Sequence, residues 1–280
     1  MERRYRSLDN RGDPVIIATS GRSGTHLLID TIRHQFPEFA LHKRPCEPVS
    51  ALFVPLEEVA AGVYPVHLAR RTFARANRAI VRSHDWPEVL DRLRPVDAEM
   101  DAYLRERGRV VCVVRDPLVA FPKLWALAAQ QFGWAVGATG QEAFVAQKAS
   151  QWAAQVRAIQ RSPQGMFIKL EDMLEAPTRE IARLAMFLDT QSTLRAPLLI
   201  PPRRTRFESL LTRLRTRPLS THALLRERAR MNFPMKWTEE LLAILDRHAG
   251  EAIELVGYRR PAHLTVEHEQ RNESCILSPV

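Results

Sequence analysis

Three short stretches of this chain carry residues able to grip an anionic group and move a proton. Ser20, Gly21, Arg22, Ser23, Gly24 and Thr25 lie between an apolar run and an amphipathic one. There the backbone N–H groups and dipole of a helix start can hold a phosphate. Arg22 adds a full charge, and Ser23 and Thr25 add hydroxyl donors. This is not a Walker A loop, which requires a Gly-Lys pair where this chain has Gly24-Thr25. A bare glycine turn opening a helix is the structural alternative.

The second stretch is IVRSHDWP, residues 80 to 87, with His84 just beyond a short apolar run. An imidazole titrates near working pH and suits general base work on a hydroxyl. A structural histidine at a strand end is the other role open to it. The third is VVCVVRDP, residues 110 to 117, where Arg115 closes an apolar run. Its guanidinium can offer a two-pronged fork to a phosphate, or pair with Asp116. No HExxH and no Cys/His cluster suggests zinc, so no metal is expected.

Regular elements must position these groups. Residues 14 to 19 predict a buried strand, followed by a helix with Leu28, Ile32 and Phe36 on one face. Val110 to Val114 predict a second buried strand, and Pro117 suits the start of the next helix. Runs 79 to 81 and 166 to 168 predict two more strands. Val145, Ala149, Trp152, Val156 and Ile159 share one helical face, as do Ile181, Leu184 and Leu188 after a cap at Thr178. A last helix is expected from about Thr238 to Gly257. Segments 45 to 55 and 197 to 202 read as loops. Alternating strands and helices imply α/β architecture, with a central parallel sheet flanked by helices in three layers.

The chain has 280 residues, of which 45% are apolar, suiting one domain with a core from about 14 to 258 and a polar tail over 259 to 280. The net charge is +9, and residues 203 to 230 hold nine arginines against Glu208 and Glu227. Nucleic acid, an acidic surface or a polyanionic small ligand all reward such charge. The stretch lacks aromatic interleaving apart from Phe207, so nucleic acid is the least favoured. Cys46, Cys112 and Cys275 form no CxxC pair, which fits a reducing cytoplasm. The polar opening and the absence of a long apolar run predict no signal peptide and no membrane anchor.

The loop resembles the nucleotide loop of sulfotransferases, which takes forms such as PKSGTTW or GRSGT. The likeness continues in order through IVRSHDWP, VVCVVRDP and FIKLEDMLEAPTREIARLAMFL (167 to 188), and WTEELLAILDRHAGEAIELVGY (237 to 258) resembles the closing helix of bacterial members. The resemblance implies a P-loop NTPase-like fold and transfer of a sulfuryl group from 3'-phosphoadenosine 5'-phosphosulfate to a hydroxyl or amine of a small acceptor. It puts His84 and Arg22 in catalytic roles. Nucleotide contacts fall on Gly21, Arg22, Ser23, Gly24, Thr25 and His26, with the 3'-phosphate on Arg115. Lys123 stands eight positions on, where cytosolic animal members have Ser, and the family's RKG motif is missing, leaving Arg226, Arg228 or Arg230 as substitutes. Leu27 and Leu170 replace the family's Trp and Tyr beside the adenine. Trp86, Phe121, Trp125, Phe132 and Trp134 are candidates for an acceptor pocket and equally for core. A magnesium-dependent P-loop kinase and a basic polyanion-binding module are the competing functions.

Overall fold

A computed structural model describes Leu8 and residues 12–41, 52–132, 138–192 and 235–261. The described residues fall in two compact units, one within Met1–Arg115 and Ala158–Arg228, the other within Asp116–Arg157 and Ala229–Val280.

The first unit is built on five parallel strands: β1 (Val15–Thr19), β2 (Val54–Pro55), β3 (Ile80–Ser83), β4 (Arg109–Val114) and β5 (Gly165–Lys169), in spatial order β2-β3-β1-β4-β5. Every residue of β1 is buried, as a strand covered on both faces requires. Side chains alternate across the sheet. Val15, Ile17, Val111 and Val113 join a core with Leu28, Ile29 and Ile32 of α1 (Thr25–Gln35) and with Ile181, Leu184 and Leu188 of a later helix. That helix is α9 (Pro177–Leu188).

Between the strands lie α2 (Leu56–Ala60), α3 (Val66–Arg75), α4 (Val89–Leu93) and α5 (Ala98–Arg107), with α8 (Leu170–Glu175) directly after β5. Arg78 ties distant parts of this unit together. Its guanidinium donates to Asp13 O at 2.7 Å and Leu188 O at 2.6 Å, and stacks over Phe39 at 4.5 Å.

The second unit holds α6 (Pro117–Phe132), α7 (Ala138–Arg161) as far as Arg157, and α10 (Glu239–Leu255). Trp125 is buried edge-on against Phe144 at 5.3 Å, and Trp237 Nε1 donates to Leu118 O at 2.9 Å. Phe121 is also buried, so Phe121 and Trp125 are core residues.

The four expected strands lie within a residue or two of their anticipated ends. The α10 cap is at Thr238, whose side chain accepts from Leu241 N–H at 3.3 Å, and Gly257 follows with φ 77°. Two expectations need correction. Residues 54 and 55 form a strand rather than loop; Pro55 is tolerated there because β2 is an edge strand. Helix α9 starts on Pro177 with Ala176 at its cap, so Thr178 lies inside the first turn.

Candidate functional site

In an open parallel sheet a binding crevice opens at the carboxyl ends of neighbouring strands whose outgoing connections leave in opposite directions. Here those neighbours are β1 and β4: the chain leaves β1 towards β2 and β3, and leaves β4 towards β5 on the other side. Ala18 pairs in register with Ser83 and with Cys112, so the ends of β3, β1 and β4 open together. The three chemically capable stretches leave the sheet at that edge: the loop after β1, His84 after β3, and Arg115 after β4.

The loop is braced from within. Thr19 Oγ1 donates to Ser20 O at 2.8 Å, lies 2.8 Å from Thr25 Oγ1 and makes a short contact with Ser23 Oγ. Ser23 Oγ donates to Ser20 O at 2.7 Å. Thr19 and Ser23 are fully buried. The hydroxyl of Ser23 is therefore taken up inside the turn, which it holds together from below.

The first helical bond of α1 runs from Leu28 N–H to Gly24 O at 3.1 Å, which leaves the N–H groups of Thr25, His26 and Leu27 without intrahelical acceptors. Gly24 has φ 100°, and a Cβ there would lie 2.6 Å from Leu170 Cδ1. Leu170 is thus the floor of the loop. Arg22 also has a left-handed φ of 66° and its side chain is exposed. A non-glycine residue in that conformation carries strain of about 1–3 kcal/mol, a feature concentrated at functional turns. Arg115 Nη1 donates to Arg22 O at 3.3 Å, so a second guanidinium sits on the loop's rim.

His84 Nδ1 lies 2.7 Å from Thr19 O. A carbonyl oxygen only accepts, so Nδ1 carries the proton and Nε2 keeps its lone pair. The residue retains solvent access while protein atoms crowd its ring. Desolvation, with a smaller push from Arg82, holds its pKa below the ordinary 6.5; the Thr19 carbonyl, Glu57 and Glu58 oppose that shift. His84 is therefore neutral near pH 7 with a free basic nitrogen.

Glu57 was not legible as part of this site. Its Oε1 accepts from Ser83 Oγ at 2.6 Å, His84 N–H at 2.6 Å and Asp85 N–H at 3.2 Å. Arg82 donates to Glu58 at 2.9 Å and lies over the Phe53 ring at 5.3 Å, while His26 tilts against the same ring at 5.8 Å. The only sequence signal for Glu57 is the paired acid Glu57-Glu58 at the start of a helix.

Of the other expected site residues, Trp86 is buried next to the His84 turn in sequence. Lys123 is part-buried on α6 in the second unit. Arg226, Arg228 and Arg230, the rest of the basic stretch, and Phe132 and Trp134 lie outside the side chains described. Among the described residues no cluster of three or more acidic, His or Cys side chains could hold a metal ion, and no helix is long and apolar enough to cross a membrane.

No protein-family model matches the chain, and no curated protein matches it. Among solved structures, it is similar to a sulfotransferase domain from the curacin biosynthetic pathway, at 14% identity and TM-score 0.45 over 90% of this chain and 99% of that one. A sulfotransferase from Alicyclobacillus acidocaldarius matches at 14% identity and TM-score 0.42, over 73% of this chain and 91% of that one. A sulfotransferase domain from the Synechococcus PCC 7002 olefin synthase matches at 13% and 0.42, over 88% and 98%. Likeness at this level carries no chemistry, which has to be argued from the site.

Proposed function

We propose that the chain is a sulfotransferase that moves a sulfuryl group from 3'-phosphoadenosine 5'-phosphosulfate to a hydroxyl or amine of a small acceptor. One observation carries this: a loop whose helix-start N–H groups have no intrahelical acceptor, rimmed by Arg22 and Arg115, lies at the same sheet edge as an imidazole that holds its proton on Nδ1 and its lone pair on Nε2. The first part suits a nucleotide bearing several phosphate-like groups. The second suits deprotonation of an attacking acceptor. The ordered resemblance of the four segments supports the same conclusion.

In the proposed reaction the acceptor oxygen or nitrogen attacks sulfur in line. A new bond forms to sulfur as the bond from sulfur to the 5'-phosphate oxygen breaks, and adenosine 3',5'-bisphosphate leaves. His84 Nε2 takes the acceptor's proton, while Arg22 and the N–H groups from Gly21 through His26 meet the charge building on the leaving phosphate. Ser23 and Thr25 act by bracing the loop, as their hydroxyl contacts with Thr19 indicate. Arg115 is the proposed 3'-phosphate contact, with Lys123 and Arg230 added on the resemblance alone. The scheme requires no metal.

The test is transfer of labelled sulfuryl group from the donor to a panel of phenols, alcohols and amines in chelator, followed by His84→Ala on whichever acceptor turns over. Loss of turnover by about 10²- to 10⁴-fold with nucleotide binding retained is expected. Wild-type turnover in that variant would remove His84 from the chemistry and make His26 the next candidate base. Phosphoryl transfer from ATP that needs magnesium would instead point to the kinase function.

A further inference from the structure

Among the described residues, Glu57 accepts all of its hydrogen bonds on one oxygen. Oε1 gathers the Ser83 hydroxyl and the His84 and Asp85 N–H groups. Oε2 is buried with no hydrogen-bond partner among the described residues. A neutral carboxamide oxygen could serve the same three donors, so the turn after β3 does not require a charge at this position. Burying a carboxylate oxygen without a partner is unfavourable. The hydrogen bonds of the turn therefore do not by themselves account for a charge at this position.

The group beside it supplies that reason. His84 sits among Arg82 of its own strand, Glu57 and Glu58 of α2, the Thr19 carbonyl of β1, and the Asp85–Arg92 pair of the following turn and α4. Arg82 and desolvation disfavour the imidazolium that a base becomes once it has taken a proton. Arg82 is partly neutralised by Glu58 at 2.9 Å, an oxygen on an exposed side chain and so screened by solvent. Glu57 is bonded directly to the His84 backbone from a half-buried side chain whose Oε2 is enclosed, where a charge acts with less screening than at Glu58.

We propose that Glu57 is a positioning residue for His84: its carboxylate fixes the β3–α4 turn and its negative charge keeps the imidazole basic enough to accept a proton. The catalytic role rests on reading His84 as the base, but the electrostatic link between the two residues does not, and it can be measured without turnover. Long-range ¹H–¹⁵N imidazole spectra of the labelled protein, with His84 assigned by its loss in His84→Gln, give both tautomer and titration. In wild type the Nδ1-protonated tautomer is expected. In Glu57→Gln the tautomer and the melting temperature stay close to wild type, and His84 titrates at lower pH.

An unchanged His84 titration in folded Glu57→Gln overturns the inference. Should that variant fail to fold, Glu57→Asp carries the test, since it keeps the charge but withdraws it by one methylene: a His84 titration below wild type supports the link, and a wild-type titration overturns it. The transfer assay separates the two levels. If the His84 titration falls in Glu57→Gln but the acid limb of turnover does not follow, Glu57 still acts on His84 and the base assignment is what fails.

Discussion

Replacing Gly24 by alanine tests the loop more sharply than any change of charge, because two separate penalties can be read from the structure. The backbone at Gly24 has φ 100° and ψ 17°, a left-handed conformation that disfavours an L side chain by about 1–2 kcal/mol. The added Cβ would also stand 2.6 Å from Leu170 Cδ1 and 3.3 Å from Leu170 Cγ and Cδ2. Leu170 is itself buried, so it has little room to retreat, and overpacking of this kind costs about 1–3 kcal/mol. Together Gly24→Ala should lower unfolding free energy by about 2–5 kcal/mol. Denaturant titration read by tryptophan fluorescence measures it. Repeating the substitution in a Leu170→Ala background isolates the contact: there only the backbone part, about 1–2 kcal/mol, should remain. A loss below about 0.5 kcal/mol in the wild-type background, or the same loss in both, would refute the loop geometry described here.

Other outcomes follow from the same site. Arg22→Gly should raise stability by about 1 kcal/mol by relieving the φ of 66°, while weakening nucleotide binding at least tenfold, because strain and charge reside in one residue; thermal melts and calorimetry read the two effects. Arg115→Ala should weaken binding of adenosine 3',5'-bisphosphate by about 2 kcal/mol, as for a lost charged hydrogen-bond partner, and unchanged affinity would assign Arg115 to holding the loop alone. The pH profile has a definite sign. His84 binds its proton less readily folded than unfolded, so its contribution favours the folded state fully above about pH 6.5 and is lost as pH falls through its depressed folded value. Correspondingly log kcat/KM should climb with pH on a single acid limb whose midpoint lies below 6.5, and a midpoint above 6.5 would contradict the environment described for His84.

Much of this site could be read from local sequence because its parts are local. The loop and α1 adjoin in the chain, the apolar run of β4 ends on Arg115, and Thr238 caps the helix that begins on Glu239. What escaped depends on contacts distant in sequence. Glu57 reaches His84 across 27 residues, Leu170 reaches Gly24 from the opposite side of β4, and neither leaves a periodic trace. β2 escaped because two residues, one of them Pro55, cannot display an alternating pattern. The helices between β2 and β4 are short, and α5 in particular mixes charges around its circumference, as Arg105 pairing with Asp101 and Asp91 shows. Residue type alone makes Ser23 a candidate phosphate donor; its burial beneath the turn depends on Thr19 and Ser20 folding around it, which local sequence does not display.

Two cationic positions, Arg22 after β1 and Arg115 after β4, are proposed to serve one nucleotide carrying a 3'-phosphate. Isothermal titration of the full chain with adenosine 3',5'-bisphosphate and with adenosine 5'-monophosphate, both in chelator, tests it directly. The 3'-phosphate should lower Kd by about 10- to 150-fold, the worth of a charged hydrogen bond of roughly 1.5–3 kcal/mol. Equal affinities for the two nucleotides, or binding of either only when magnesium is restored, would contradict it.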